Sequence, residues 1–148
     1  MTAPEWPWVL GRSRETGWAQ MLPSQQAQIA PEAFAGLVYE MLAQALSSPG
    51  GTVLVARAAE LPVGYLVIGV VPDELSHAPT GLFMDIYVEP AWRGRHVSSL
   101  LTAAGDAHCR GLGLSHVRRV VAAHNTQSLR HAMADGCQVE RFMLIKQL

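Results

Sequence analysis

The chain has 148 residues, 49% apolar and 16% charged, with a formal net charge of −1. That length fits a single domain over 1–148 with its own core, and that composition excludes a disordered chain. The near-zero charge removes the global basic field of a nucleic-acid binder, and no apolar run approaches a membrane span. The first residues lack the basic and apolar regions of an export signal, and Cys109 and Cys137 have no metal-type spacing. A reduced, cytoplasmic protein is the expectation, with no metal, nucleic acid or membrane partner.

Trp6 to Arg12 reads as a first strand, its alternating Trp6 and Trp8 facing opposite ways, and Glu15 to Leu22 as a short helix. Pro31 to Leu46 is the clearest helix of the first half. Phe34, Leu37, Val38, Met41, Leu42 and Ala45 share one face at 3.6 spacing, and Ser47 to Gly51 stops it. Thr52 to Ala58 and Val63 to Val71 predict an antiparallel hairpin turning at Glu60-Leu61-Pro62. Pro72 to Gly81 is a loop, Leu82 to Glu89 a strand closed by Pro90, and Val97 to Arg110 a helix with Val97, Leu100, Leu101, Ala104 and His108 as its stripe. Gly111 and Gly113 end that helix. His116 to Ala123 predicts a further strand, Asn125 or Thr126 caps a helix ending before Gly136, and Gln138 to Lys146 predicts a last strand. The order is mixed α/β.

The chemistry concentrates between Phe83 and Leu101. A strand (Ile86, Tyr87, Val88) runs through the cationic turn Arg93-Gly94-Arg95 into a helix at Val97. Such a junction aims backbone N–H groups and the positive helix end at one point, which suits a phosphate. Seven arginines of the second half (Arg93, Arg95, Arg110, Arg118, Arg119, Arg130, Arg141) agree with a local anion site, or with ordinary surface solvation. The P-loop pattern is absent, and the one lysine, Lys146, stands near the end. Gly111-Leu112-Gly113 follows a helix and lacks a third glycine, so a dinucleotide fingerprint is absent too.

With these residues in place, the second half resembles the GNAT superfamily of acyl-CoA-dependent N-acetyltransferases. Val88 and Pro90 match its V-x-P strand end, Arg93 and Gly94 its turn, Asn125 and Ser128 its later helix start, and Gly136 that helix's glycine. The resemblance implies a mixed, mostly antiparallel sheet flanked by helices. It also implies acetyl-CoA as cofactor and a primary amine of a small molecule, amino acid or peptide as acceptor, with a homodimer allowed. Cofactor contacts would come from Ile86, Tyr87, Val88, Arg93, Gly94, Arg95, His96, Val97, Ser98, Ser99, Asn125 and Ser128. Two turn positions depart from the pattern: His96 stands for glycine and Ser98 for glycine or alanine. A histidine there fits with a negative φ. Ala132 stands where a tyrosine often protonates the leaving thiolate, and Cys137 replaces an aromatic; Tyr87 and Tyr39 are candidate substitutes.

Three residues are candidate general bases. Asp85 lies within the strand, where a carboxylate is either catalytic or a satisfied structural partner. Glu89 reads as a solvated strand end or a base, and His124 as a base or a hydrogen-bonded structural histidine. His77 lies in a loop, and Arg118 and Arg119 read as solvent contacts. In this family the first half selects the acceptor, and here it carries Trp6, Trp8, Trp18, Met21, Phe34 and Tyr39. The competing reading is a degenerate CoA-binding or scaffold module without turnover, motivated by His96 and Ala132.

Overall fold

The computed structural model describes residues 5–146. The chain begins with a helix, α1 (Trp6–Gln20), where the sequence suggested a strand. Pro7 sits in its first turn, and Val9 and Ser13 are buried one turn apart, so the period is helical. Because one of those inward residues is a serine, the stripe is disguised. Both tryptophans pack inward: Trp6 meets the Tyr39 ring edge-on, and Trp8 meets Tyr65 and Tyr87. A short α2 (Pro23–Gln26) leads to α3 (Pro31–Ser47), whose buried line is Val38, Leu42 and Ala45. Leu37 and Met41, expected on that line, are exposed at 47% and 38%.

The expected hairpin forms with a tighter turn at Ala59 and Glu60, so that Leu61 and Pro62 already belong to the second strand: β1 (Thr52–Ala58) pairs antiparallel with β2 (Leu61–Pro72), and β2 pairs antiparallel with β3 (Pro79–Val88). β2 is covered on both faces, which explains its unbroken apolar run from Tyr65 to Ile68. β4 (Val117–Arg119) joins β3 in parallel and completes the order β1-β2-β3-β4. The strand expected over His116 to Ala123 is thus only three residues long. Its two arginines are held sideways, Arg118 by Asp73 and Glu140 and Arg119 by Asp135, and neither is a solvent contact.

Two apolar clusters sit on opposite faces of the sheet. Tyr65, Val67 and Tyr87 meet Val9 of α1 and Val38, Leu42 and Ala45 of α3. Leu66, Ile68 and Phe83 meet α4 (Val97–Gly111) through Val97, Leu101 and Cys109. The buried side of α4 is Val97, Leu101, Thr102, Gly105 and Cys109, so the predicted stripe was rotated and Leu100 is 68% exposed. Gly105 explains the closeness of this packing, since a Cβ there would fall 2.6 Å from the Phe83 ring.

After β4 comes α5 (Thr126–Ala134), capped by Asn125, whose side chain accepts from the Ser128 amide at 3.1 Å. It ends on Gly136 at φ +91°, with Cys137 N–H bonding the Ala132 carbonyl and Gly136 N–H that of Met133. No strand forms over 138–146. There Phe142, Met143 and Leu144 are 85%, 93% and 91% exposed, and Arg141 pairs with Glu74. β-forming residues alone do not make a strand without an edge to join, and a three-residue β4 offers little.

Candidate active site

One irregularity in β3 decides which side chains reach the site. Asp85 pairs with Val67 and Phe83 with Ile68, so Met84 is an extra residue, a bulge. Without it Phe83 and Asp85 would share a face. With it Phe83 enters the α4 core, while Met84 packs with the α1 and α3 side. Asp85 accordingly meets Tyr65, whose hydroxyl donates to Asp85 Oδ2 at 2.8 Å, and Ser13 of α1.

Burial pushes the Asp85 carboxyl up, and the donations from Ser13 and Tyr65 only partly oppose this. Tyr65 is fully buried; desolvation first, and the adjacent Asp85 second, raise its hydroxyl far above the ordinary tyrosine range. The Tyr65 and Tyr87 rings stack at 5.7 Å across the β2–β3 ladder.

Glu89 is not a solvated strand end. Its Oε1 accepts from Trp8 Nε1 at 3.1 Å and from Arg12 Nε at 2.9 Å, and its Oε2 accepts from the Tyr87 hydroxyl at 3.0 Å. Burial would raise this carboxyl, but the donors from Trp8, Tyr87 and Arg12 prevail and hold it below the usual carboxylate range. Such an anion is a weak base with its lone pairs already used. Arg12 also bonds Glu15 and lies 5.7 Å from the centre of the Tyr87 ring. Sequence reasoning missed Trp8, Arg12, Ser13 and Tyr65 as members of this cluster. All are brought in by the face that α1 presents or by the partner strand, and no local motif marks them.

His124 is not part of the cluster. β4 has already ended, and His124 is exposed in the turn before Asn125. Asn125 and Ser128 spend their mutual hydrogen bond on capping α5. Ala132 is buried, Tyr87 donates to Glu89, and Tyr39 is 52% exposed on α3.

The junction after β3 has the form that the sequence predicted. Beyond Phe83, β3 keeps its β2 partner but has no strand partner on the β4 side among the described residues, so the backbone edge from Met84 to Tyr87 is open and the Val88 carbonyl is taken by Arg93. A turn of 3-10 helix (Pro90–Trp92) leads to Gly94 at φ +73° and His96 at φ +61°. The condition under which a histidine would fit there, a negative φ, is therefore not met. The histidine takes the left-handed conformation natural to glycine, at a cost of about 1 kcal/mol. Its side chain is exposed and makes no capping bond. The first intrahelical bond runs from Leu100 N–H to the His96 carbonyl, which leaves the amides of His96, Val97, Ser98 and Ser99 without an acceptor inside the helix. Arg93 donates Nε to the Val88 carbonyl at 3.0 Å and lies 6.0 Å from the Tyr87 ring centre; Arg95 lies over Trp92. Open amides and two exposed guanidiniums beside a free strand edge fit an extended ligand with a diphosphate at one end.

Comparison with known proteins agrees. The acetyltransferase (GNAT) family model matches residues 18–133. No curated protein matches in sequence. Among solved structures, a Pyrococcus furiosus protein provisionally described as an acetyl transferase superposes with a TM-score of 0.80 at 17% identity, covering 96% of this chain and 93% of that one. Bacillus subtilis YycN, described in the same way, gives 0.78 at 19%, covering 100% and 95%. The aminoglycoside N-acetyltransferase AAC(6')-Iy, solved with a bisubstrate analogue of CoA, gives 0.63 at 19%, covering 93% and 92%. At these identities the superpositions speak for the fold, and the expected mixed α/β acetyltransferase-like architecture is borne out. With its sheet, its open strand edge and the family match over most of its length, the chain belongs to the acetyltransferase (GNAT) family.

Proposed function

We propose that this chain is an acetyl-CoA-dependent N-acetyltransferase, a single catalytic domain that transfers an acetyl group to a primary amine by direct attack. The observation that carries the reading is the open edge of Met84 to Tyr87 beside the uncapped start of α4, with Arg93 and Arg95 at the turn. CoA-bound relatives of the same fold are consistent with acetyl-CoA use.

The cofactor would supply an activated thioester; the protein binds, orients and moves a proton. Amides of His96 to Ser99 and the two arginines hold the diphosphate. The free backbone groups of β3 hold the pantetheine arm and donate to the thioester oxygen, where negative charge grows. Asp85 is the base: it takes a proton from the amine, Tyr65 and Ser13 fix its orientation, and its raised pKa gives it basicity that Glu89 lacks. A C–N bond forms as the C–S bond breaks, and the electron pair leaves with sulfur. A thiol with a pKa of about 8.5 leaves adequately as thiolate, so the alanine at 132 does not forbid turnover.

Calorimetric titration of the full chain with acetyl-CoA tests the turn. Binding is expected, and the paired change R93A/R95A should weaken it by about 10- to 100-fold, the value of losing charge-assisted contacts to phosphate. Equal affinity in the two proteins would place the diphosphate elsewhere.

A further inference from the structure

The segment from Gln138 to Lys146 carries a strand pattern that the fold of one chain does not use. Among the described residues its backbone forms no hydrogen bond with other backbone groups. Phe142, Met143 and Leu144 are almost wholly exposed, and Val139 and Ile145 are more than half exposed. The segment is nevertheless tied down, since Glu140 pairs with Arg118 of β4 and Arg141 with Glu74 of the β2–β3 loop. Ion pairs thus fix its course beside β4 and leave its apolar side chains in water. That surface comes to about 700 Å² per chain, more than a monomer usually exposes in one patch and close to the roughly 800 Å² per partner of a stable interface.

We propose that two copies of this chain associate along this flank, their segments from Glu140 to Lys146 lying antiparallel about a twofold axis at Met143. A twofold axis passing between two strands and through the sheet makes them antiparallel and sets the central residue opposite itself. Phe142 then stands opposite Leu144 of the second copy, and Glu140 opposite Lys146 of the second copy, each pair occurring twice. The segment is self-complementary in this register. Apolar side chains meet across the strands, and Lys146, without an ion-pair partner among the described residues, meets a carboxylate. An axis at Phe142 would instead set Glu140 against a leucine, and one at Leu144 would set Lys146 against a phenylalanine. Cross-strand chemistry therefore selects Met143 as the centre, and the pairing supplies the backbone partners that one chain lacks. The association is independent of the acyltransferase reading, since none of these residues lies in the candidate active site.

Sedimentation of the 148-residue chain across micromolar concentrations tests the pairing, with a dimer of the 16.0 kDa chain as the expected result. Phe142→Asp combined with Leu144→Asp, both at exposed positions, should weaken association by at least about 100-fold and leave the helical circular dichroism unchanged. A crosslink tests the register without relying on that variant. Opposite residues of an antiparallel pair stand about 4.5–5.5 Å apart, within disulfide reach. In a Cys137→Ser background, with Cys109 buried, Met143→Cys should therefore oxidise to a linked dimer, whereas Gln44→Cys on the exposed side of α3 should not. A monomer at every concentration, a dimer that survives both aspartates, or crosslinking no better at position 143 than at 44 would overturn the proposal.

Discussion

Asp85→Asn is expected to lower kcat/KM for acetyl transfer by at least about 100-fold, the usual contribution of a positioned base, while raising Tm at neutral pH. The two effects have one cause. Burial raises the Asp85 carboxyl above its unfolded value, despite the donations from Ser13 and Tyr65. A carboxyl so raised is more stable protonated. Its stabilising contribution is complete below the ordinary carboxylate pKa and is lost as pH rises through the folded value. Above that folded value the wild type carries a partly buried anion that asparagine does not. The Tm gain should be largest above the folded Asp85 value and shrink in acid, where both side chains are neutral. For activity the order is reversed: the base works only when ionised, so the acid limb of kcat/KM should lie above the ordinary carboxylate range and vanish in D85N. An unchanged rate in D85N, with the same stability gain, would make Asp85 a structural acceptor for Tyr65.

Glu89→Ala should be the complementary case, costly in stability. It removes the acceptor shared by Trp8, Arg12 and Tyr87, which joins α1 to the end of β3. Leaving buried donors unsatisfied costs about 1–3 kcal/mol, and Arg12, 34% exposed, can turn to water, so about 2 kcal/mol is expected. For a domain of this size that is a fall of about 6 °C in Tm. Glu89 titrates below its ordinary range, so its contribution is present above the unfolded carboxylate pKa and is lost as pH falls through the depressed folded value. The E89A deficit should accordingly close in acid, as followed by thermal melts across pH. A variant that melts like wild type and is inactive would instead mark Glu89 as the base.

The parts of this molecule legible in its sequence are those encoded locally. The β1–β2 hairpin announces itself by two β-rich runs separated by a short polar break, and the helix at Val97 by an arginine–glycine turn after Pro90. Asn125 is recognisable as a cap because the capping bond spans three residues. What was not legible depends on partners distant in the chain. Trp6 and Trp8 alternate like a strand, yet the helix is set by Val9 and Ser13 turning inward on the sheet. Ser13 reads as polar surface until Asp85 and Tyr65 are placed beside it.

The candidate site divides in the same way. The candidate cofactor turn follows from sequence, and its open amides are where a strand–turn–helix junction puts them. The ranking of the bases does not. Asp85 lies in β3 and Glu89 just past its end, and only the packing of α1 and β2 around them sets burial to push one pKa up and hydrogen-bond donors to hold the other down. The bulge at Met84 is equally silent, since an alternating strand gives no sign of an added residue until its ladder is seen. The last segment shows the limit from the other side. Phe142 to Ile145 have strand-forming side chains, but a strand needs an edge to pair with, and β4 ends at Arg119.

Amine-dependent release of free CoA thiol from acetyl-CoA by the 148-residue chain tests the central claim most directly. The expected result is saturable release that requires both the thioester and a primary amine, with the acetyl group recovered on the amine. Tight binding of acetyl-CoA with no thiol released, whichever primary amine is supplied, would contradict it and leave a binding module in place of an enzyme.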